Sequence, residues 1–484
     1  MTNSPIATAS ISTEDKGFKK SLGLLDATMI VAGSMIGSGI FIVSSEIARS
    51  VGSSGYFLLM WILAGIVTMI AALSYGELSA MFPKAGGQYV YLQEAYNPLI
   101  GFLYGWAFFA VIQTGTIAAV AVAFAKFTSY VIPAVGESKI LLTFGKLTIS
   151  AAQLLAISSI ILLTYINSRG IKKGTFIQTS FTLIKIISLL ALIVFGLWWG
   201  SKADIWHANW QNAWVLSSLK KQNGQVIQTA LTGLAFMGAI AVSMKGTLFS
   251  SDSWHNVTFI AEEVNNPRRN LGLSLFLGTL IVTILYVLMN IMYLAVLPLQ
   301  QIAFAKDDRI GVVAAEHIFA SSGTIIIAVM IMVSTFGCNN GLILAGSRVY
   351  YKMAHDKLFF PKAGRLNKKR VPGYSLWFQC IWASVLCLSG KYNDLLALVI
   401  FGVLIFYVLT IIGIYILRIK RPGLERPYKA FGYPFLPAVY IIIATSLAIL
   451  LLIFETSYTL PGLGIILLGI PLYYIILRKR KQVK

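Results

Sequence analysis

The sequence predicts an all-α integral membrane protein of twelve transmembrane helices, in which the first and sixth are broken. Three observations carry this. Of the 484 residues, 57% are hydrophobic and only 12% are charged, against about 25% charged in a soluble chain. Apolar runs long enough to cross a bilayer recur from end to end, and no polar stretch is long enough to form a separate domain. Two of the runs, the first and the sixth, are interrupted midway by glycine and polar residues.

Taken in order, residues 1–20 are polar and lack the compact pattern of a signal peptide, which makes them a short cytoplasmic tail. The first run covers 22–51 and holds AGSMIGSGIFIV at 32–43, with Gly33, Gly37 and Gly39 set among Ser34 and Ser38. Glycine costs about 1 kcal/mol against alanine inside a helix, so this cluster loosens it. Either the helix unwinds near mid-membrane and bares backbone N–H and C=O groups to a small polar ligand, or the glycines let another helix come close. Runs at 55–82, 98–134, 148–168 and 174–200 follow. Between the second and third, residues 83–96 (PKAGGQYVYLQEAY) are too polar to cross and read as a short helix on the cytoplasmic face. The sixth run, 226–260, is interrupted by LFSSDSWHN at 248–256 and exits at NNPRRN, where Pro267 and two arginines mark the end. Runs at 271–298, 321–355, 374–390, 393–417, 434–455 and 459–477 complete the twelve, with an amphipathic external segment at 304–319. Two interrupted runs, each followed by four others, suggest two five-helix halves of opposite orientation, 21–200 and 226–420. An appended pair at 434–477 and a tail at 478–484 follow.

An even number of spans puts both termini on one side, and that side receives 27 of the 39 Lys and Arg, against 8 in the opposite loops. The positive-inside rule makes it the cytoplasmic side of a plasma (inner) membrane. The net charge of +21 therefore reads as topology and not as nucleic-acid binding. Cys338, Cys380 and Cys387 all lie in apolar runs and suggest neither a disulfide framework nor a metal site. Four scattered histidines, no HExxH and no GxxxxGK phosphate loop speak against an enzyme, and no cofactor is expected. A channel stays open on composition, because it too needs polar backbone at mid-depth.

GSMIGSGIF, YGELSAMFPKAGGQYVYLQEAY, LFSSDSWHNVTFIAEEVNNPRRNL and GLILAGSRVYYKMAHDKLFF, in that order, resemble the amino acid–polyamine–organocation transporters. Within these the L-type amino acid transporter branch, with its bacterial members, is the most similar. The resemblance covers roughly residues 20–420. It implies a leucine-transporter-like 5+5 inverted repeat with two appended helices, and uptake or exchange of amino acids by alternating access.

For an amino acid substrate, the half-helix after the first break offers the N–H groups of Gly37, Ser38 and Gly39 to the carboxylate. Carbonyls near Gly33, Ser34 and Met35, and near Phe249, Ser250 and Ser251, suit the ammonium. By family position Phe249 closes over the substrate from outside; ordinary packing is the alternative. Lys185 lies in mid-run, where an ionisable residue is a functional hypothesis by default. The resembled branch carries a lysine where sodium-coupled relatives of this architecture hold a cation, which implies sodium-independent transport. The same lysine could cycle a proton, or simply pin two helices. Asp252 either caps the second half-helix or faces a cationic group, which gives an alternative substrate class of cationic amino acids or polyamines; Lys245 is a candidate partner. His255 reads as a packed, satisfied side chain rather than a proton relay. Gln113, Thr114, Gly115, Asn339 and Asn340 line the cavity or tie helices together. Glu262 and Glu263, with Arg268, Arg269, Arg348 and Lys352, could form an ion-pair gate at the cytoplasmic end, or be interfacial charge of little worth. Some animal members of the branch are disulfide-linked to a single-span glycoprotein. Residues 133–146 hold no cysteine, so no such heavy subunit is expected, and the chain is read as a monomer or homo-oligomer.

Overall fold

The first apolar run is two helices and not one. In the computed structural model, α1 (Leu24–Met35) and α2 (Gly39–Val51) meet at 41° across residues 36–38. The described residues are 18, 20–144, 147–389 and 392–482. Apart from residues 18 and 20, the tail expected at 1–20 lies outside them, as do 483 and 484 of the tail expected at the other end.

Helix ends follow capping chemistry. After α3 (Ser54–Met81), the polar segment at 83–96 holds α4 (Gln88–Ala95). α5 (Pro98–Ala107) begins at Asn97, whose side chain accepts from the Ile100 amide at 3.0 Å, and has Pro98 at its first position, where an absent N–H costs nothing. One π-helical turn, Phe108–Ile112, joins it to α6 (Gln113–Val131). α7 (Ala151–Ser168) starts in a capping box, with Ser150 Oγ accepting from the Gln153 amide at 3.3 Å and Gln153 Oε1 from the Ser150 amide at 2.9 Å. α8 (Ile171–Phe195) and the short α9 (Ala203–Trp210) follow.

The second half comprises α10 (Gly233–Ser250), the single turn α11 (Asn256–Phe259), α12 (Pro267–Val296) and α13 (Leu299–Ala303). α14 (Ile310–His355) kinks at Ala320, whose φ is 56°, so the expected external segment is its first arm. α15 (Gly373–Ser389), α16 (Tyr392–Lys420), α17 (Phe435–Phe454) and α18 (Thr456–Gln482) close the chain. Among the described residues, ten helices are long and apolar enough to cross a membrane, and the bent α1–α2 pair makes an eleventh. Twelve spans are expected from the sequence. The difference is α15, an apolar helix which at 17 residues lies at the short end of the range that can span.

Two antiparallel hairpins stand where no strand is expected. One pairs β1 (Ile140–Phe144) with β2 (Leu147–Ser150), the other β3 (Ser217–Gln222) with β4 (Gln225–Ala230). The second corrects the start of the sixth run, because residues 226–230 are strand and α10 begins at Gly233. Its cause is local: Asn223 and Gly224 have φ of 51° and 80°, the geometry of a two-residue hairpin turn. Val226, Ile227 and Thr229 then suit a strand. In the bundle α12 lies along α3 and α1, α10 along α2, and α14 along α6 and α8. Both interruptions are therefore buried.

Candidate functional site

Leaving helical geometry at residues 36–38 frees carbonyls, and side chains from three other helices meet them. Lys185 Nζ on α8 donates to Gly33 O and Ile36 O, each at 2.7 Å, and to Ser334 O at 3.3 Å. An ammonium has three protons, and these three carbonyls take them. Tyr286 Oη on α12 donates to Met35 O at 3.0 Å, and Cys338 Sγ on α14 to Ser34 O at 3.1 Å. The Gly33, Ser34 and Met35 carbonyls expected near a substrate ammonium thus each have a protein donor within reach, and each carbonyl oxygen keeps a second lone pair. The first turn of α2, from Ser38 and Gly39, still presents amide groups that no carbonyl within the helix can take.

At the second interruption α10 ends at Ser250 and the helix resumes only at Asn256. Ser253 between them has φ 68°, a left-handed conformation uncommon outside glycine. Tyr286 Oη also lies 3.1 Å from Ser250 O, so one tyrosine spans both interruptions and, having one O–H, serves one carbonyl at a time. The sequence contains no sign of this role beyond a polar tip in an apolar run. The two segments also touch. A Cβ on Gly39 would overlap the Ser250 side chain and come within 2.9 Å of its Cα, and a Cβ on Gly37 would lie 3.0 Å from Cys338 Sγ. Proximity requires glycine at 39; at 37 a Cβ would only make the contact with the thiol tight.

Asp252 is 6% exposed and accepts from Tyr407 Oη on α16 at 2.6 Å; the same hydroxyl lies 2.6 Å from His255 Nδ1. α11 is capped at His255 with no side-chain hydrogen bond, so the capping role expected of Asp252 is not the one it takes. Lys245 is not its partner either, since that ammonium sits between Glu455 at 2.8 Å and Glu46 at 3.4 Å. His255 is buried and hydrogen-bonded, the packed and satisfied side chain expected of it. Beside Ser251 and Asp252 a cavity of about 20 Å³, walled by Thr68, Trp254, Tyr407 and Tyr440, has room for about one water and not for an amino acid. Phe249 is buried over the end of α10.

Of the other expected cavity residues, Gln113 Nε2 donates to Leu342 O at 2.7 Å and Thr114 Oγ1 to Phe109 O at 2.6 Å. Asn340 bonds Asn167 at 2.8 Å and Gln178 at 3.3 Å. Gln113 and Asn340 therefore tie helices together, while Thr114 bonds within its own span. Among the described residues, Ser34 Oγ and the side-chain amides of Asn256 and Asn339 are buried with no hydrogen-bond partner, each at a cost of about 1–3 kcal/mol.

At the basic end, Glu263 and Arg348 form an ion pair at 2.9 Å, with side chains 2% and 1% exposed. The chain entering α1 seals beside it: the Ser21 and Leu22 amides donate to Glu263 O at 3.0 and 3.1 Å. Glu262 accepts from the Ala85 amide at 3.0 Å. The rest of the expected gate is corrected. Arg268 pairs with exposed Glu425 at 3.0 Å, and Lys352 with Asp356 at 2.7 Å, one turn along its own helix. In α4, burial and the Asp356 carboxylate push the Tyr89 phenol up from its ordinary value.

Apolar spans in a helical bundle, two interrupted segments pressed together, polar groups buried beside them without partners and a buried ion pair at the basic end are the features of a membrane transporter. The chain belongs to the amino acid permease family, whose family model matches residues 22–472. It is 32% identical over 474 residues to the serine/threonine exchanger SteT of Bacillus subtilis (strain 168), covering 97% of this chain and 99% of that one. To the b(0,+)-type amino acid transporter 1 of Mus musculus it is 28% identical over 472 residues, 97% of this chain and 90% of the other. To the large neutral amino acids transporter small subunit 2 of the same species it is 29% identical over 474 residues, 98% and 84%. The resemblance drawn from four motifs is borne out, and with it a role in amino acid transport rather than as an enzyme or a channel.

Proposed function

We propose that the chain is a sodium-independent secondary transporter that exchanges neutral amino acids by alternating access. The observation that carries this reading is Lys185, whose ammonium occupies the carbonyls of Gly33, Ile36 and Ser334 and so holds a fixed cation where a mobile one would otherwise sit. Substrate binds between the amides of Gly37, Ser38 and Gly39 at the start of α2 and the end of α10 at Phe249, Ser250 and Ser251, once the contact between Gly39 and Ser250 opens. The unpartnered Ser34, Asn256 and Asn339 groups favour a polar ligand there. The carrier crosses a plasma membrane twelve times with both termini cytoplasmic. Its halves, 21–200 and the second from Gly233 to 420, are related by inversion, with α17 and α18 appended. No heavy subunit is required, as all three cysteines are buried.

Uptake of radiolabelled serine into proteoliposomes tests this. Uptake should rise several-fold when unlabelled amino acid is loaded inside and stay the same when choline replaces sodium. Dependence on a sodium gradient sinks the proposal, and dependence on a proton gradient without trans-stimulation replaces exchange by symport.

A second reading is favoured by one observation. Asp252 is a buried carboxylate with no lysine or arginine at ion-pair distance among the described residues, so a cationic amino acid or polyamine could supply the charge. Competition by arginine at concentrations where serine competes would support it, and loss of that competition in Asp252→Asn would tie it to this residue.

A further inference from the structure

At the basic end of the bundle, α3, α12 and the 427–431 segment enclose a cavity of about 760 Å³, within the range of about 300–1,000 Å³ usual for sites that hold drug-sized molecules. Its wall is of two kinds. Leu73, Leu273, Phe276 and Phe431 line it with apolar surface, and Arg268 and Arg269 are the charged residues of its wall. Leu273 is 37% and Phe431 67% exposed, so large apolar side chains lie open beside two cations.

The cavity is held in shape by bonds of its own. The Tyr428 ring packs onto Gly76 of α3, where a Cβ would lie 2.8 Å from it. One residue on, the buried Glu77 accepts from Arg418 Nε at 3.0 Å and Nη2 at 2.7 Å, pairs with Arg426 at 3.5 Å, and takes the Ala430 amide at 2.7 Å. These contacts strap the 427–431 segment across α3. The arginines are less committed. Arg268 shares an exposed pair with Glu425 at 3.0 Å, a contact of a kind that contributes little. The Arg269 side chain has no acidic partner among the described residues.

A soluble anion would meet the arginines and leave the apolar wall wet; a hydrocarbon chain alone would leave the guanidinium groups unused. One chemistry uses both. Phosphate takes paired N–H groups from a guanidinium, an acyl chain suits the wall, and basic pockets between helices at this membrane face recognise anionic head groups. We propose that this crevice binds one anionic phospholipid, its phosphate on Arg268 and Arg269 and an acyl chain along Leu73, Leu273 and Phe276. The lipid competes with Glu425 for Arg268 and meets no competitor at Arg269. This rests on the chain's place in a bilayer, which its family establishes, and on the charge asymmetry that makes this end cytoplasmic; it does not depend on which solute is carried.

The test is native mass spectrometry of the full chain released from nanodiscs of equimolar phosphatidylglycerol and phosphatidylcholine. The wild type should retain one phosphatidylglycerol in preference. The double variant R268Q/R269Q should retain it about tenfold less, the loss expected of charge-assisted hydrogen bonds, while K362Q/R365Q, which neutralises the same face outside the crevice, should retain it in full. Should the double variant fail to fold, the wild type with a photoactivatable phosphatidylglycerol decides, and should crosslink to residues 268–276 and 427–431. Equal retention of the two lipids by the wild type, equal loss in both variants, crosslinks elsewhere, or displacement by inorganic phosphate alone would each overturn the proposal. Lipid retention is read without transport, so its failure leaves the amino acid reading intact, and the reverse.

Discussion

Lys185 is legible in the sequence because a lysine in the middle of an apolar run has nothing beside it to explain it; its acceptors are not, since they lie 149 and 152 residues away. Removing the ammonium strands the Gly33 and Ile36 carbonyls. Charge-assisted bonds are each worth about 1.5–3 kcal/mol, so Lys185→Met should lower uptake by about tenfold or more. Uptake at the wild-type rate, with only the melting temperature reduced, would make Lys185 a helix pin. Tyr407 is the opposite case. Nothing in its surroundings in sequence marks it, yet its hydroxyl joins Asp252 to His255. Tyr407→Phe leaves both short of a partner and should destabilise the protein by about 1–3 kcal/mol, read as a lower melting temperature in detergent. Combined with Asp252→Asn the loss should be less than the sum, because both changes remove the same bond. Strict additivity would break the link.

The interruptions themselves follow from composition, because glycine and serine clusters weaken a helix wherever they occur. What they do for one another is a matter of packing between elements. Gly39→Ala should push α2 away from α10 and cut uptake, and adding Ser250→Gly should recover part of it, since the overlap is chiefly with the serine side chain. No recovery would mean the glycine is needed for its backbone alone. At the basic end the sequence offers six charged residues as a gate, and only Glu263 and Arg348 meet in the manner expected. Breaking a buried pair from one side costs about 3–5 kcal/mol, while replacing both members by apolar residues often costs far less. Glu263→Gln and Arg348→Met should therefore each destabilise strongly, and E263L/R348M should recover much of the loss in a double-mutant cycle. The hairpin from Ser217 to Ala230 was also open to inference. Asn223-Gly224, followed by Val226 and Ile227, is a local turn signal, but a long apolar run that includes 226–230 hides it.

At the scale of the whole molecule, obligatory exchange, if it is the mode of transport, should leave little leak. Proteoliposomes loaded with serine should hold their label until external amino acid is added, and efflux without it would argue against obligatory exchange. That the chain lives in a bilayer, that two of its apolar runs are interrupted, and that a lysine lies in the middle of another are all contained in the sequence. Such features are written in composition and in patterns a few residues long. Only the tertiary structure decided that Tyr286 bridges Met35 and Ser250, that Tyr407 takes Asp252 from the capping role, and that Glu263 meets Arg348 while Arg268 turns to Glu425. These partners are 36 to 251 residues apart. Their meeting depends on the rotation and depth of helices packed against one another, which no local pattern encodes.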